Sequence, residues 1–355
     1  MSKRVVVLPG DDAAPEAVAP SVDVLKALEP DIAWTYLPTG EEGLARYSQA
    51  EFNRVVFDAI DRSDTTLFGA ASGKTQGTAH LRWGKGTYAN VRPVRWRPGF
   101  NSPLKRPEGI DFIIVRENLE DLYVGVEGEL GGLAPLQPKR RRDNTPLDLS
   151  GNGRFAIKVI TEASTRRVTR FACELALRRK DAGHPGKVTV TAKYNVLPVT
   201  DGLFMQTAEA VVRDEYPTLT YEQFIVDDFA RRIVAAPHAL DVVVMPNLYG
   251  DILSDEAAGI IGGLGLAPSG CYGDSYAYFE SVHGSAPDIA GRHIINPTAT
   301  LLSAVLMLDY LGMRDLATRL DDAVGRVYAE GKHLTPDQGG AASTEEFCAA
   351  VREAL

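Results

Sequence analysis

Residues 4–9 form a short apolar run that halts at Gly10-Asp11-Asp12. The residues that follow place apolar side chains at Val18, Val22, Leu25 and Leu28. An unbroken apolar run suits a parallel strand buried on both faces, and the three-to-four-residue spacing after it suits a helix packed along one side. Strand, glycine turn and helix in that order open an α/β unit. The alternation recurs, with a helix predicted over 51–61, a strand over 65–68, a helix starting over 78–82 and a strand over 112–115. Thr161 is positioned to cap a helix carrying Val168, Phe171, Ala172 and Leu175 on one face; it should stop near Gly183-His184-Pro185, before a strand over 188–191. Further helices are predicted over 303–311 and 316–328.

At 355 residues, 45% of them apolar, the chain has sequence enough for two domains and a large core. Lys plus Arg number 38 against 47 Asp plus Glu, a net charge of −9, which argues against a basic coat for nucleic acid. No window approaches eighteen consecutive apolar residues, so no membrane span is expected, and Met-Ser-Lys-Arg running straight into the first strand leaves no room for a secretory leader. Cys173, Cys271 and Cys348 are odd in number and widely spaced, which fits a reducing cytoplasm rather than a disulfide framework.

One stretch breaks the alternation. Residues 128–153 are rich in Gly and Pro and carry Lys139-Arg140-Arg141-Arg142 in the middle. Such a segment is an arm with its own hairpin or a long loop, and the four cations read as a solvated run. Two other stretches resemble phosphate-binding motifs and fail. Phe68-Gly69-Ala70-Ala71-Ser72-Gly73-Lys74-Thr75 has a phenylalanine where a P-loop needs its first glycine. Gly263-Leu264-Gly265-Leu266-Ala267-Pro268 has proline at the third glycine of a dinucleotide fingerprint, so a Rossmann domain is not supported.

The chemistry concentrates in residues 247–255, NLYGDILSD. Asp251 and Asp255 are four apart, so on a helix both carboxylates share one face and repel unless a cation lies between them. With an apolar strand before (241–245) and an apolar helix after, they suit a hard divalent ion, Mg²⁺ or Mn²⁺. A third carboxylate is available at Asp227 or Asp228, after an apolar strand over 224–226. Arg82, Arg92 and Arg116 stand at the ends of separate elements, where they can converge on a substrate with several carboxylates. Tyr123 and Lys193 complete an acid–base set, the lysine directly following the strand over 188–191.

Five stretches in order resemble the metal-dependent β-decarboxylating dehydrogenases, which include isocitrate, homoisocitrate, 3-isopropylmalate and tartrate/D-malate dehydrogenases: YANVRPVR (88–95), RENLEDLY (116–123), AKYNVLPVTDGLF (192–204), NLYGDILSD (247–255) and HGSAPDIAGRHIINP (283–297). The resemblance spans nearly the whole chain. It implies a two-domain α/β fold that is not a Rossmann fold, with residues 1–98 plus 258–355 forming a large cofactor-side domain. Residues 99–257 would form a smaller domain bearing the dimer interface and a protruding arm near 128–153. It implies that Thr78, Arg82, Arg92 and Arg116 bind substrate, that Tyr123 is the general acid, and that Lys193 from the partner subunit belongs to the base system. Asp251, Asp255 and the other subunit's Asp227 would hold the metal. His283, Gly284, Ser285, Ala286, Asp288 and Asn296 would line the cofactor, with the Asp288 carboxylate favouring NAD over a 2′-phosphorylated dinucleotide.

The implied reaction is NAD-dependent oxidative decarboxylation of a (2R)-2-hydroxy-3-carboxy acid in a cytoplasmic homodimer. The implied tail is polar or acidic, of the isocitrate or homoisocitrate type. Tartrate, D-malate, 3-isopropylmalate or another 2-substituted malate such as a phosphonate analogue are the alternatives, and a regulatory subunit is the non-catalytic one. Two departures bear on this. Where the family reads GDGIGPE, this chain has GDDAAPE, so Asp12 and Ala14 replace glycines and the turn must change its backbone angles or carry strain. Where isopropylmalate enzymes place leucines before the first arginine, this chain has Thr78 and Ala79, with Lys74, Gln76 and His80 nearby, a poor pocket for a branched alkyl tail.

Overall fold

The computed structural model describes residues 2–75 and 77–355; Gln76 lies outside the described residues. Among the described residues, ten strands form one mixed sheet: β1 (Lys3–Leu8), β2 (Ile32–Tyr36), β3 (Thr65–Phe68), β4 (Ala89–Arg95) and β5 (Asp111–Glu117), then β8 (Lys187–Ala192), β9 (Thr220–Ile225), β10 (Val242–Met245), β11 (Pro268–Tyr272) and β12 (Ala277–Ser281). β6 (Glu127–Glu129) and β7 (Arg154–Ala156) pair separately as an antiparallel ribbon. The large sheet runs β2-β1-β3-β12-β11-β4-β5-β10-β8-β9. Pairing is parallel towards both edges and antiparallel at its centre, where β12, β11, β4 and β5 lie side by side.

The helices are α1 (Ala14–Ala27), α2 (Gly40–Arg46), α3 (Gln49–Asp61), α4 (Glu162–Asp181), α5 (Thr200–Ala210), α6 (Val226–Ala235), α7 (Asn247–Ile261), α8 (Thr298–Tyr310), α9 (Arg314–Glu330) and α10 (Thr344–Glu353). Strand residues alternate between the two faces of the sheet, as the pleat requires. Val5, Val7, Phe112, Ile114, Val243 and Met245 join one apolar cluster with α1 and α7 to α10. On the opposite face Ile113, Val115, Val242 and Val244 pack with α4 and α5, while Val6 and Leu8 meet Phe52, Val56 and Ile60 of α3.

The first turn keeps its left-handed residues despite the lost glycine. Gly10 has φ 84° and a Cβ there would sit 2.4 Å from the Ala70 carbonyl oxygen. Asp12 has φ 53°, a conformation aspartate tolerates better than most residues. Ala14 simply begins α1, ahead of Pro15. The Asp11 carboxylate accepts hydrogen bonds from the backbone N–H groups of Ser72, Lys74 and Thr75 at 2.8–3.0 Å and from the Thr75 hydroxyl, fixing the loop after β3.

Two predicted elements differ in form. The helix expected from residue 78 contains a π-turn over His80–Gly84, because Lys85 and Thr87 donate to carbonyls five residues back and the Thr87 hydroxyl takes the Leu81 carbonyl. The helix expected over 303–311 begins earlier, at Thr298. Its first turn buries Thr298 and Thr300, whose polarity hides them from an apolar pattern; the Thr298 hydroxyl bonds to Tyr328. Residues 130–153 extend from the β6–β7 ribbon, closed by a bridge between Lys139 and Pro146, and residues 139–142 are exposed. No helix among the described residues is long and apolar enough to cross a membrane.

Candidate active site

The site assembles where β4, β5 and β10 meet the start of α7. Arg116 stands opposite Asn90 in the β4–β5 ladder and opposite Met245 in the β5–β10 ladder. Asn90 and Arg92 share a face of β4 by the two-residue period, so Arg92 and Arg116 lie on the same side of adjacent strands. The chain leaves β10 and turns directly into α7, whose Asn247 accepts from Arg116 Nε at 2.8 Å. Gly250 passes so close that a Cβ there would lie 2.6 Å from both Cβ and Cγ of Arg116.

Asp251 receives this convergence. One oxygen pairs with Arg116 Nη1 and lies 3.4 Å from Arg92 Nη2; the other accepts the Tyr123 hydroxyl. Burial alone would raise the Asp251 carboxyl, but Arg116, the Tyr123 hydroxyl, Arg92 and Arg82 outweigh it and hold it below the usual carboxylate range. Asp255, one turn on and half exposed, lies 3.4 Å from Arg92 Nη1; burial and the Asp251 charge raise its carboxyl. Arg82 and Arg116 flank the Tyr123 ring at 5.6 and 4.8 Å from its centre, and burial with the Asp251 carboxylate pushes the phenol up, so it stays protonated. Two buried guanidinium nitrogens, Arg82 Nε and Arg116 Nη2, have no hydrogen-bond partner among the described residues. Thr78, half-buried, lies four residues before Arg82.

Lys193 follows β8, as predicted, and its ammonium pairs with Asp227 in the first turn of α6. Asp228, the other candidate third carboxylate, is paired instead with Arg231 and Arg232 at 2.7–3.0 Å. Among the described residues of one chain, no three His, Cys, Asp or Glu side chains gather in a way that could hold a metal. Asp251 and Asp255 are thus together on α7, and Asp227 is not with them within the single chain.

A separate pocket of about 370 Å³ is lined by His283, Gly284, Ala286 and Asn296 with Leu264, Ile289, Ile295 and Asp337. His283 Nδ1 lies 2.8 Å from the Gly284 carbonyl, which can only accept, so Nδ1 carries the proton. Burial holds this imidazole below its ordinary pKa, and its Nε2 is a buried acceptor without a partner among the described residues. Ser285 donates its hydroxyl to Asp12 at 2.7 Å, and Asp288 is exposed in the short turn that follows.

Three charged residues that were given no role from the sequence also gather near the site. Asp121, Asp201 and Lys158 form a buried group beneath Tyr123 and Lys193. Asp121 and Asp201 stand inside the quoted stretches RENLEDLY and AKYNVLPVTDGLF, and Lys158 stands in none of them.

Residues 4–351 match the family model described as isocitrate/isopropylmalate dehydrogenase. The chain belongs to the isocitrate/isopropylmalate dehydrogenase family. It is 43% identical to the 3-isopropylmalate/3-methylmalate dehydrogenase of Methanocaldococcus jannaschii, over 99% of both chains. It is 41% identical to the isocitrate/homoisocitrate dehydrogenase of Thermus thermophilus, over 100% of this chain and 99% of that one. The crystal structure of isocitrate dehydrogenase from Methylococcus capsulatus superposes with a TM-score of 0.83 at 31% identity, covering 99% of each chain. The α/β architecture is therefore that of the isocitrate/isopropylmalate dehydrogenases, and the protein is an oxidative decarboxylating dehydrogenase of that family.

Proposed function

We propose that the protein oxidises and decarboxylates a (2R)-2-hydroxy-3-carboxy acid with a polar or acidic tail, using NAD and Mg²⁺ or Mn²⁺. The carrying observation is the gathering of Arg82, Arg92 and Arg116 about Tyr123 and Asp251, with two buried guanidinium nitrogens left unsatisfied among the described residues. A polycarboxylate would fill those donors with charge-assisted hydrogen bonds. Asp251 and Asp255 fit a divalent cation by chemistry: two oxygen ligands on one helix face, one of them kept ionised by its neighbours. Asp227 from a second copy would complete the set, and the cation would supply Lewis-acid polarisation of the alcohol. Lys193 would belong to the base system that takes up the alcohol proton, and Tyr123, protonated here, would deliver a proton to carbon after CO₂ leaves.

NAD would supply the hydride acceptor, with its adenosine against the His283–Asn296 pocket, where the bare His283 Nε2 can accept from an exocyclic amine. The exposed Asp288 carboxylate would repel a ribose 2′-phosphate. A homodimer is supported by apolar side chains left in water beside the site: Val196 at 62%, Val199 at 69% and Ile252 at 58% exposure. The division into 1–98 plus 258–355 and 99–257 is supported by the sheet order, in which strands of the first set lie on one side of the β4–β5 boundary and strands of the second on the other. Three free, buried cysteines agree with a cytoplasmic setting.

The name of the 43% identical relative supports a second reading, a small alkyl tail. A panel of isocitrate, homoisocitrate, alkylmalates, a phosphonate-tailed malate, D-malate and tartrate, assayed with NAD⁺ and Mn²⁺ for NADH, separates the two. Turnover of alkylmalates, malate or tartrate, with every acidic tail inert, overturns the first reading.

A further inference from the structure

Lys158 is the centre of a dry ionic group. Its ammonium lies 2.6 Å from Asp201 Oδ1 and 3.3 Å from Asp121 Oδ1; both carboxylates are fully buried and the lysine side chain is 14% exposed. Each acid divides its two oxygens. Asp201 gives one to Lys158, and with the other accepts the backbone N–H of Lys193 at 2.9 Å and the Tyr249 hydroxyl at 3.0 Å. Asp121 gives one to Lys158 and with the other accepts the backbone N–H of Leu248 at 2.9 Å.

Those partners are not scattered. Asp121, left-handed at φ 67°, stands two residues before Tyr123 and is stitched to Val159 by a backbone bridge. Leu248 and Tyr249 form the first turn of α7, the helix that presents Asp251. Lys193 is itself one of the tethered residues. The Lys158 ammonium also lies over the Tyr249 ring, 4.5 Å from its centre.

We propose that Lys158 is a positioning residue for the reaction: held between Asp121 and Asp201, it fixes in one register the three segments that carry Tyr123, Lys193 and Asp251. This rests on the functional reading above and extends to residues that reading leaves without a role. A buried ion group of this kind is poor evidence for stability, because desolvation offsets its attraction. It is well suited to register, because sliding any one segment strands a charge in a dry interior. Tyr123 and Asp251 must meet around one small acid while Lys193 reaches the second copy's site, so a shift of an ångström in any of the three segments misplaces a group in one site or the other.

The test compares Lys158→Met, Lys158→Arg and Asp201→Asn in the full-length protein. In Lys158→Met, the backbone amides of Lys193 and Leu248 should exchange with deuterium at least about tenfold faster, while those of Val242–Met245 keep wild-type rates. With the best acid of the panel, kcat per site titrated by NADH should fall by about 30-fold or more with KM within about threefold, and Lys158→Arg should recover most of it. Asp201→Asn, which keeps an acceptor for Lys193 and Tyr249 but removes the charge, should show the same pattern more weakly, and it decides the matter if Lys158→Met does not fold. Wild-type kcat per site in the folded variants, or amides that exchange as in the wild type, overturns the role. A wild-type protein that oxidises no acid of the panel instead overturns the functional reading, and the role with it, even where the amides respond.

Discussion

Tyr123 donates its hydroxyl to Asp251 while two guanidinium groups flank its ring, so a phenol is kept protonated next to a carboxylate. If that proton is the one delivered to carbon, Tyr123→Phe should lower kcat by about 10²–10⁴-fold and leave KM for the acid nearly unchanged, read by steady-state kinetics. Glu117, next to Arg116, offers a test by pH. It is 2% exposed, and burial raises its carboxyl to about 7 although the Leu119 and Glu120 amides donate to it. The folded value lies above the ordinary 4.5, so the fold favours the neutral acid. Its contribution is complete below the unfolded pKa and is lost as pH rises through about 7. The Tm of the wild type minus that of Glu117→Gln should therefore shrink between about pH 5 and pH 8; a constant or growing gap counts against it.

The gathering of the arginines, aspartates and tyrosine was legible because each stands in a motif whose residue types have few uses: a carboxylate pair four apart, guanidinium groups at strand ends. Lys158 was not legible. A lone lysine between β7 and α4 looks like any solvated lysine, and only the fold brings two acids from remote stretches onto it.

At the scale of elements, the abrupt passage from β10 into α7 sets the site. It brings Asn247 to Arg116 and leaves no room for a side chain at residue 250. Gly250→Ala should push Arg116 or the first turn of α7 aside and lower kcat/KM by about 10²-fold, with circular dichroism near wild type. The strand–helix alternation was readable because buried strands and one-sided helices have different apolar periods. The π-turn at His80–Gly84 was not, since it is made by hydroxyl and backbone bonds that leave no hydrophobic signature. The start of α8 was hidden for a related reason: Thr298 and Thr300 look like loop residues until the fold buries them and Tyr328 meets the Thr298 hydroxyl. The Asp12 departure was legible as a conflict but not in its outcome, which depends on Ser285 and Lys74 reaching its carboxylate across 273 and 62 residues of sequence.

For the molecule as a whole, the proposed site draws Tyr123 and Asp251 from one copy and Lys193 and Asp227 from another. Unfolding and refolding Lys193→Met together with Tyr123→Phe should then restore about a quarter of wild-type activity, because half the dimers are mixed and each mixed dimer carries one intact site by two-fold symmetry. Chains mixed without unfolding serve as the control. Activity that stays at the level of the separate variants would place all four residues in one chain's site.

The strand order separates two sets of residues, yet the apolar cluster on one face of the sheet takes Val5 and Leu67 from one set and Phe112, Val243 and Leu253 from the other. Heat should therefore find no seam along which to open the molecule in stages. Scanning calorimetry is expected to show one endotherm whose van't Hoff and calorimetric enthalpies agree per cooperative unit. Two resolved endotherms would mean that the shared oil-filled face gives way before either half does.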